Sequence, residues 1–419
     1  MTKMLWIALA TVPLVGPLVD QADNRPGRVA LYAAVGEELI TFSVDVGRAT
    51  LARQSSVMLP GFVQEAWASP SVPFMYVAWS NGGTSYSGSG VVARGDKHGV
   101  TAFRVDSSGA LHVQGAPASL RWRPIHITGD VPGRHLLVAY NDPSGVSVHA
   151  VSADGSVGAE VPQRAGLDVG IYAHQVRVLP SNKGVILVTR GNQPTASTRE
   201  DAGAVKVFRY DAGMLTNRAS IAPGKGIGFR SRHLDFHPTR PWVFLTLESQ
   251  NKLDVFTRTR DDSLSAEPLF SKSTLAGSDN SSAAQTASTV HVHANGQFVY
   301  VGNRAAGTTD FKGTPVFAGG SNDIAVFRIN QDTGEPTLIQ NIDTRGFTPR
   351  TFALDPSGRI LVVGNQTTMA VRDGAAVKVV PPNVAVFRIR SDGKLEFVEK
   401  YDVGVGRKPL WWTGLVAIH

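Results

Sequence analysis

A short run of the form apolar-Phe-Arg-apolar returns along almost the whole chain. It stands at Val207–Tyr210, Val326–Ile329 and Val386–Ile389, with looser copies beginning at Thr41, Ala102, Ser147 and Val255. Seven copies some fifty to sixty residues apart are the mark of repeated supersecondary units. Repetition from end to end points to one closed architecture rather than a string of unrelated domains. The chain of 419 residues has 43 Gly and 24 Pro, and no long amphipathic helix is legible, so it reads as all-β with many turns.

Each unit parses into four strands. An inner strand ends in a turn, as in "RHLDFHPTRP" and "RTFALDPSGR", and a second strand follows ("VFLTLES", "ILVVGNQ"). The Phe-containing strand comes next, and an outer strand follows a turn such as Asp332-Thr333-Gly334 or Asp392-Gly393. Glycine there supplies the positive φ that tight hairpins need. Four antiparallel strands repeated seven times predict a seven-bladed β-propeller. The first unit, Val29 to about Leu59, lacks an inner strand, whereas the chain ends in the extra apolar run "PLWWTGLVAI" from Pro409. The last strand is therefore expected to complete the first blade and remove exposed sheet edges. Residues 28–419 form this domain; residues 1–27 form an extension.

Taking the inner turn as origin exposes a polar set. Six residues before it lie Gln64, Ile125, His174, Arg232, Ser288 and Arg350; ten residues after it lie Ser80, Asn141, Arg190, Glu248, Arg304 and Gln366. The turn centre falls about two residues past this origin, so both sets lie some eight residues from it and are expected to be cross-strand neighbours at one mouth of the channel. Most are polar where strand positions are ordinarily apolar. Four long insertions, Asn81 to Gly99, Asn192 to Gly203, Ala305 to Asn322 and Thr367 to Asn383, leave from the same end and are expected to wall that mouth.

The stretches "HPTRPWVFLTLESQNKLDVF", "VHVHANGQFVYVGNR" and "TPRTFALDPSGRILVVGNQ" resemble the seven-bladed propeller lactonase family. That family includes bacterial 6-phosphogluconolactonases and fungal 3-carboxy-cis,cis-muconate lactonizing enzymes. The resemblance covers roughly Val29 to the C-terminus and is strongest from Tyr172 to Val405. In the muconate branch it implies a site of one histidine, two arginines and a glutamate. By motif these fall on His174 ("YAHQV"), Arg232 ("SRHLDFHP"), Glu248 ("TLES") and Arg304 ("GNR"). Ser231 stands where the family has proline, and Thr289 where an acidic residue is common, which leaves the substrate open.

Lactone opening needs a base for water and stabilisation of the negative charge on the carbonyl oxygen. Glu248 or His174 can serve as base, and Arg232 with Arg304 suit a carboxylate or phosphate and the oxyanion. Arg190, Arg350, Gln366, Asn141 and Gln64 are the expected substrate contacts. The bland reading makes Glu248 an ion-pair partner of Arg232 and His174 a core histidine. The same set run in reverse is a cycloisomerase, and a non-catalytic binding propeller is the third reading. The expected partner is a small anionic lactone or carboxylate.

Other signals carry less. No cofactor is expected, and with no cysteine there is no Cys-ligated zinc; His291 and His293 share a strand face but lack a legible third ligand. "GKGIG" at Gly224 precedes a strand rather than opening a helix, so it reads as an inter-blade connection. "RGD" at Arg94 reads as loop. No nucleophile elbow is present. The net charge of +7 is dispersed, which argues against nucleic acid. Lys3 followed by the apolar stretch Met4 to Val19, broken by Pro13 and Pro17, suits a secretory signal better than a membrane span. Export to the periplasm or beyond is the expectation; a cytoplasmic protein is the alternative.

Overall fold

A computed structural model describes residues 28–82, 95–277, 284–403 and 408–418. The expected signal segment, Arg94 and part of the first long insertion lie outside the described residues. Seven four-stranded antiparallel sheets make up the body. The innermost strands of blades 1 to 7 are Leu410–Ile418, Phe62–Ala68, Pro124–Gly129, Ala173–Val178, Ser231–Phe236, Gln285–Val292 and Pro349–Leu354. Each packs on the next and the cycle closes from blade 7 through blade 1 to blade 2. Closure is as expected: Leu410–Ile418 pairs antiparallel with Arg28–Val35.

The repeated motif has two jobs. Phe208, Phe327 and Phe387 are buried in clusters that join neighbouring blades. The next residue points the other way, as strand alternation requires. Arg328 donates to the Asp392 carbonyl at 3.3 Å, and Arg388 to the Gly47 carbonyl at 2.9 Å, so each clamps a turn of the following blade. The inner turns are latched too. His237 Nε2 donates to Gly296 O and His293 Nε2 to Gly358 O, each at 2.9 Å. Their Nδ1 atoms accept backbone N–H groups, so both rings are fixed as the Nε2–H tautomer. His293 is thereby an inter-blade latch, and His291 stands apart from it near Asp235. Gly224 lies in a short 3-10 turn, Pro223–Gly226, leading to the blade 5 inner strand.

Two long insertions fold into hairpins, Thr308–Phe311 with Thr314–Phe317 and Met369–Asp373 with Ala376–Val380. They pack on one another, with the Arg372 guanidinium 4.8 Å from the Phe311 ring centre.

Candidate functional site at one mouth of the channel

Every inner strand carries a register shift at the same place. The paired residues flanking it are Val63/Glu65, Pro124/His126, Ala173/Gln175, Ser231/Leu234, Ala287/Val290 and Pro349/Thr351 in blades 2 to 7. The skipped residue is Gln64, Ile125, His174 or Arg350 in four blades, and the skipped pairs are Arg232–His233 and Ser288–Thr289 in the other two, so each bulge includes a member of the first polar set. These side chains are therefore presented from β-bulges, which re-aim a residue and free it from the ladder. The expected cross-strand pairing does not occur. The second set instead faces residues two positions earlier: Phe62 opposes Ser80 and Thr286 opposes Arg304. Arg190, Glu248 and Gln366 likewise donate backbone N–H groups to the carbonyls of Tyr172, Arg230 and Thr348.

The mouth holds a cavity of about 430 Å³. Its wall includes His174, Arg190, Glu248, Arg304, Arg350 and Gln366 from the polar sets, together with Tyr172, Thr286, Thr348 and Trp411. The insertions contribute Gln193, Ala306 and Thr367. Tyr172, Thr286 and Thr348 escaped the sequence reading because the bulge moves the true cross-strand partner by two residues. Trp411 escaped because the offset was not carried into the closing strand, where it occupies the corresponding irregularity between Ala34 and Val35 partners.

Glu248 is the hub. Its Oε2 accepts from Arg190 Nη1 at 2.6 Å, its Oε1 accepts from Arg304 Nη2, and Arg232 Nε lies 3.4 Å from Oε1. Arg190, Arg304 and Arg232 together hold this carboxyl well below the usual range, against the opposing effect of burial. A carboxylate so engaged is a weak base. Arg232 is fully buried and lies behind Glu248 rather than on the cavity wall. Its expected contact with substrate is replaced by contact with the carboxylate.

His174 is on the wall, buried, with Nδ1 lacking a hydrogen-bond partner. Burial first, then the Arg232 charge, push its pKa well below the ordinary histidine value, so the ring is neutral at pH 7. Arg350 stacks on Trp411, 3.7 Å from the ring centre, and Arg190 on Tyr172 at 4.1 Å. Arg190, Arg232 and Arg304 converge on the one Glu248 carboxylate and Arg350 stands on the same cavity wall, so the cluster carries excess positive charge. Gln64 and Asn141 do not line this cavity. The buried Arg123 donates to them, at 3.1 Å to Gln64 Oε1 and 2.8 Å to Asn141 Oδ1, on the far side of the ring.

A family model described as "Lactonase, 7-bladed beta-propeller" matches residues 43–373, most of the chain. The protein is a member of that lactonase family. Similar proteins include the 6-phosphogluconolactonase of Bacillus subtilis, 28% identical over 277 residues, covering 64% of this chain and 71% of the relative. The 6-phosphogluconolactonase of Pectobacterium atrosepticum is 26% identical over 362 residues, covering 85% and 89%. Among solved structures, a Lactobacillus plantarum protein superposes with a TM-score of 0.67 at 21% identity, covering 93% of this chain and 99% of its own. The periplasmic gluconolactonase of Pseudomonas aeruginosa gives 0.64 at 19%, covering 94% and 100%. At these identities the structural likenesses speak for the fold of this lactonase-family propeller.

Proposed function

We propose that this protein hydrolyses a small anionic lactone, of the sugar-acid or muconate type, in the cavity walled by His174, Glu248 and the arginines. The observation that carries this reading is the excess of guanidinium over carboxylate around this cavity. Such a cluster favours an anion in the ground state and more so the oxyanion of ester hydrolysis. The Bacillus subtilis and Pectobacterium atrosepticum relatives are named for a phosphorylated lactone, which agrees in charge.

In the mechanism we infer, His174 takes a proton from water as the water oxygen attacks the lactone carbonyl carbon. Arg304 and Arg350 stabilise the oxyanion. The ring C–O bond then breaks, and the proton passes from His174 to the departing alkoxide, leaving a hydroxy acid. Glu248 stabilises the transient imidazolium through its charge and holds Arg190 and Arg304 in place. Arg232 fixes Glu248 from behind.

Proton release in a pH-stat tests this. His174→Gln should lower kcat about a hundredfold, the usual scale of general-base loss, with KM nearly unchanged. A variant that keeps its wild-type rate removes His174 from the chemistry. The cycloisomerase direction is tested in the same assay by supplying the open-chain unsaturated acid and following lactone formation. For the N-terminal segment we propose export with cleavage near residue 22, which intact mass of the native protein checks.

A further inference from the structure

The residue after each bulged member of the polar set lines a different cavity, of about 510 Å³, at the other end of the channel. Its wall comes from residues following those of the first mouth: Glu65, His126, Gln175, His233, Thr289 and Trp412. We propose that this opposite mouth is a second ligand site, built for a neutral, hydroxyl-bearing ring of monosaccharide or cyclitol size.

The hydrogen-bond polarity of the wall is fixed from behind. Thr289 Oγ1 donates to the Arg350 carbonyl at 3.1 Å, so it accepts from His233 Nδ1 at 3.2 Å. His233 is neutral, its pKa lowered first by burial and then by Arg232, His174, His126 and Arg350. Its proton is therefore on Nδ1, and Nε2 is an acceptor. Gln175 Oε1 accepts the Leu234 backbone N–H at 2.7 Å, which orients its amide nitrogen as a donor. Thr351 Oγ1 accepts the Thr413 N–H at 3.0 Å. His126 is nine-tenths buried, and its Nδ1 has no partner. An unsatisfied polar atom at that depth is costly unless a ligand or water meets it.

Charge argues for a neutral occupant. Arg177 pairs with Asp235 at 3.1 Å, which cancels the one guanidinium on the wall, and burial raises the Glu65 carboxyl above the usual range. The Asp355 carboxylate, also on the wall, is engaged by its own turn, accepting the Arg359, Ile360 and Ser357 N–H groups. Fixed donors and acceptors with the wall's charges so engaged match hydroxyl groups, each of which both donates and accepts. Trp67 and Trp412 add flat apolar faces, suited to the C–H faces of a saturated ring. The volume falls within the roughly 300–1,000 Å³ of small-molecule pockets.

The test is calorimetric titration of the full chain with D-glucose and with myo-inositol, using gluconate as the charged control. We expect one site for at least one neutral probe. Gln175→Leu should weaken it about tenfold, the scale of one lost hydrogen bond. Trp67→Ala should weaken it by a similar factor and serves if the Gln175 variant misfolds. Arg304→Gln, at the other mouth, should leave the affinity within about twofold. No binding of either neutral probe overturns the proposal and makes the cavity a water channel. Binding that Arg304→Gln abolishes, or that both Gln175→Leu and Trp67→Ala leave intact, overturns it as well.

Discussion

At the scale of single residues, the two expected bases, Glu248 and His174, differ in how they are engaged. Glu248 is ionised but spent on three guanidiniums, whereas His174 is neutral with an unpartnered Nδ1. Because the His174 pKa lies below its ordinary value, its basic form persists into acid. The acid limb of kcat/KM should therefore fall below pH 6.5, as a pH–rate profile will report; a limb at or above that value contradicts the assignment. Glu248→Gln leaves buried arginines without their counter-charge. It should destabilise the fold on the order of 3 kcal/mol, read from denaturant melts, and also slow turnover. His174, Glu248, Arg304 and Arg350 were legible because a shared offset marks polar residues in apolar strands. The retreat of Arg232 behind Glu248 was not, since depth within a cluster depends on packing rather than on spacing.

Among the elements, the recurring bulge decides what the channel sees. A regular strand would send alternate residues to one face; the skipped residue breaks that alternation and lets His174 and Gln175 serve opposite mouths. The offset found the bulged residues, but pairing drawn without the bulge missed Tyr172, Thr286 and Thr348. Nothing in the composition of "YAHQV" or "TPRTF" marks a bulge, because an extra residue in one strand shows only once the partner strand's register is known. The outer turns were fully legible. Gly393 has φ +83°, and a Cβ there would lie 2.2 Å from the Phe298 ring. Gly393→Ala should cost about 2–3 kcal/mol from strain and overpacking together, measurable as a lower denaturation midpoint, with the rate of the folded enzyme unchanged.

For the whole molecule, closure by Leu410–Ile418 and the inter-blade latches make one cooperative ring that buries several histidines in their neutral form. Burial lowers the pKa values of His126 (to about 3), His174, His233 and His237. On unfolding they regain a value near 6.5 and bind protons. Their contribution is thus complete above about pH 6.5 and is lost as pH falls through their folded values. Burial lowers His98 and His149 in the same way, while Glu65, Asp254 and Asp323, raised by burial, oppose this as three groups against six. Tm should decline between pH 6.5 and 5, before most carboxylates titrate; a flat Tm across that window contradicts the burial pattern. The fold itself was readable from repetition, whereas the chemistry rests on the charge excess at one mouth. The most direct test of that claim compares wild-type hydrolysis of 6-phosphogluconolactone and neutral gluconolactone, beside Arg304→Gln. Wild type should clearly prefer the anion, a preference reduced about tenfold or more by the substitution, the scale of one lost charge-assisted contact. Equal rates on both lactones, or a preference untouched by Arg304→Gln, would contradict it.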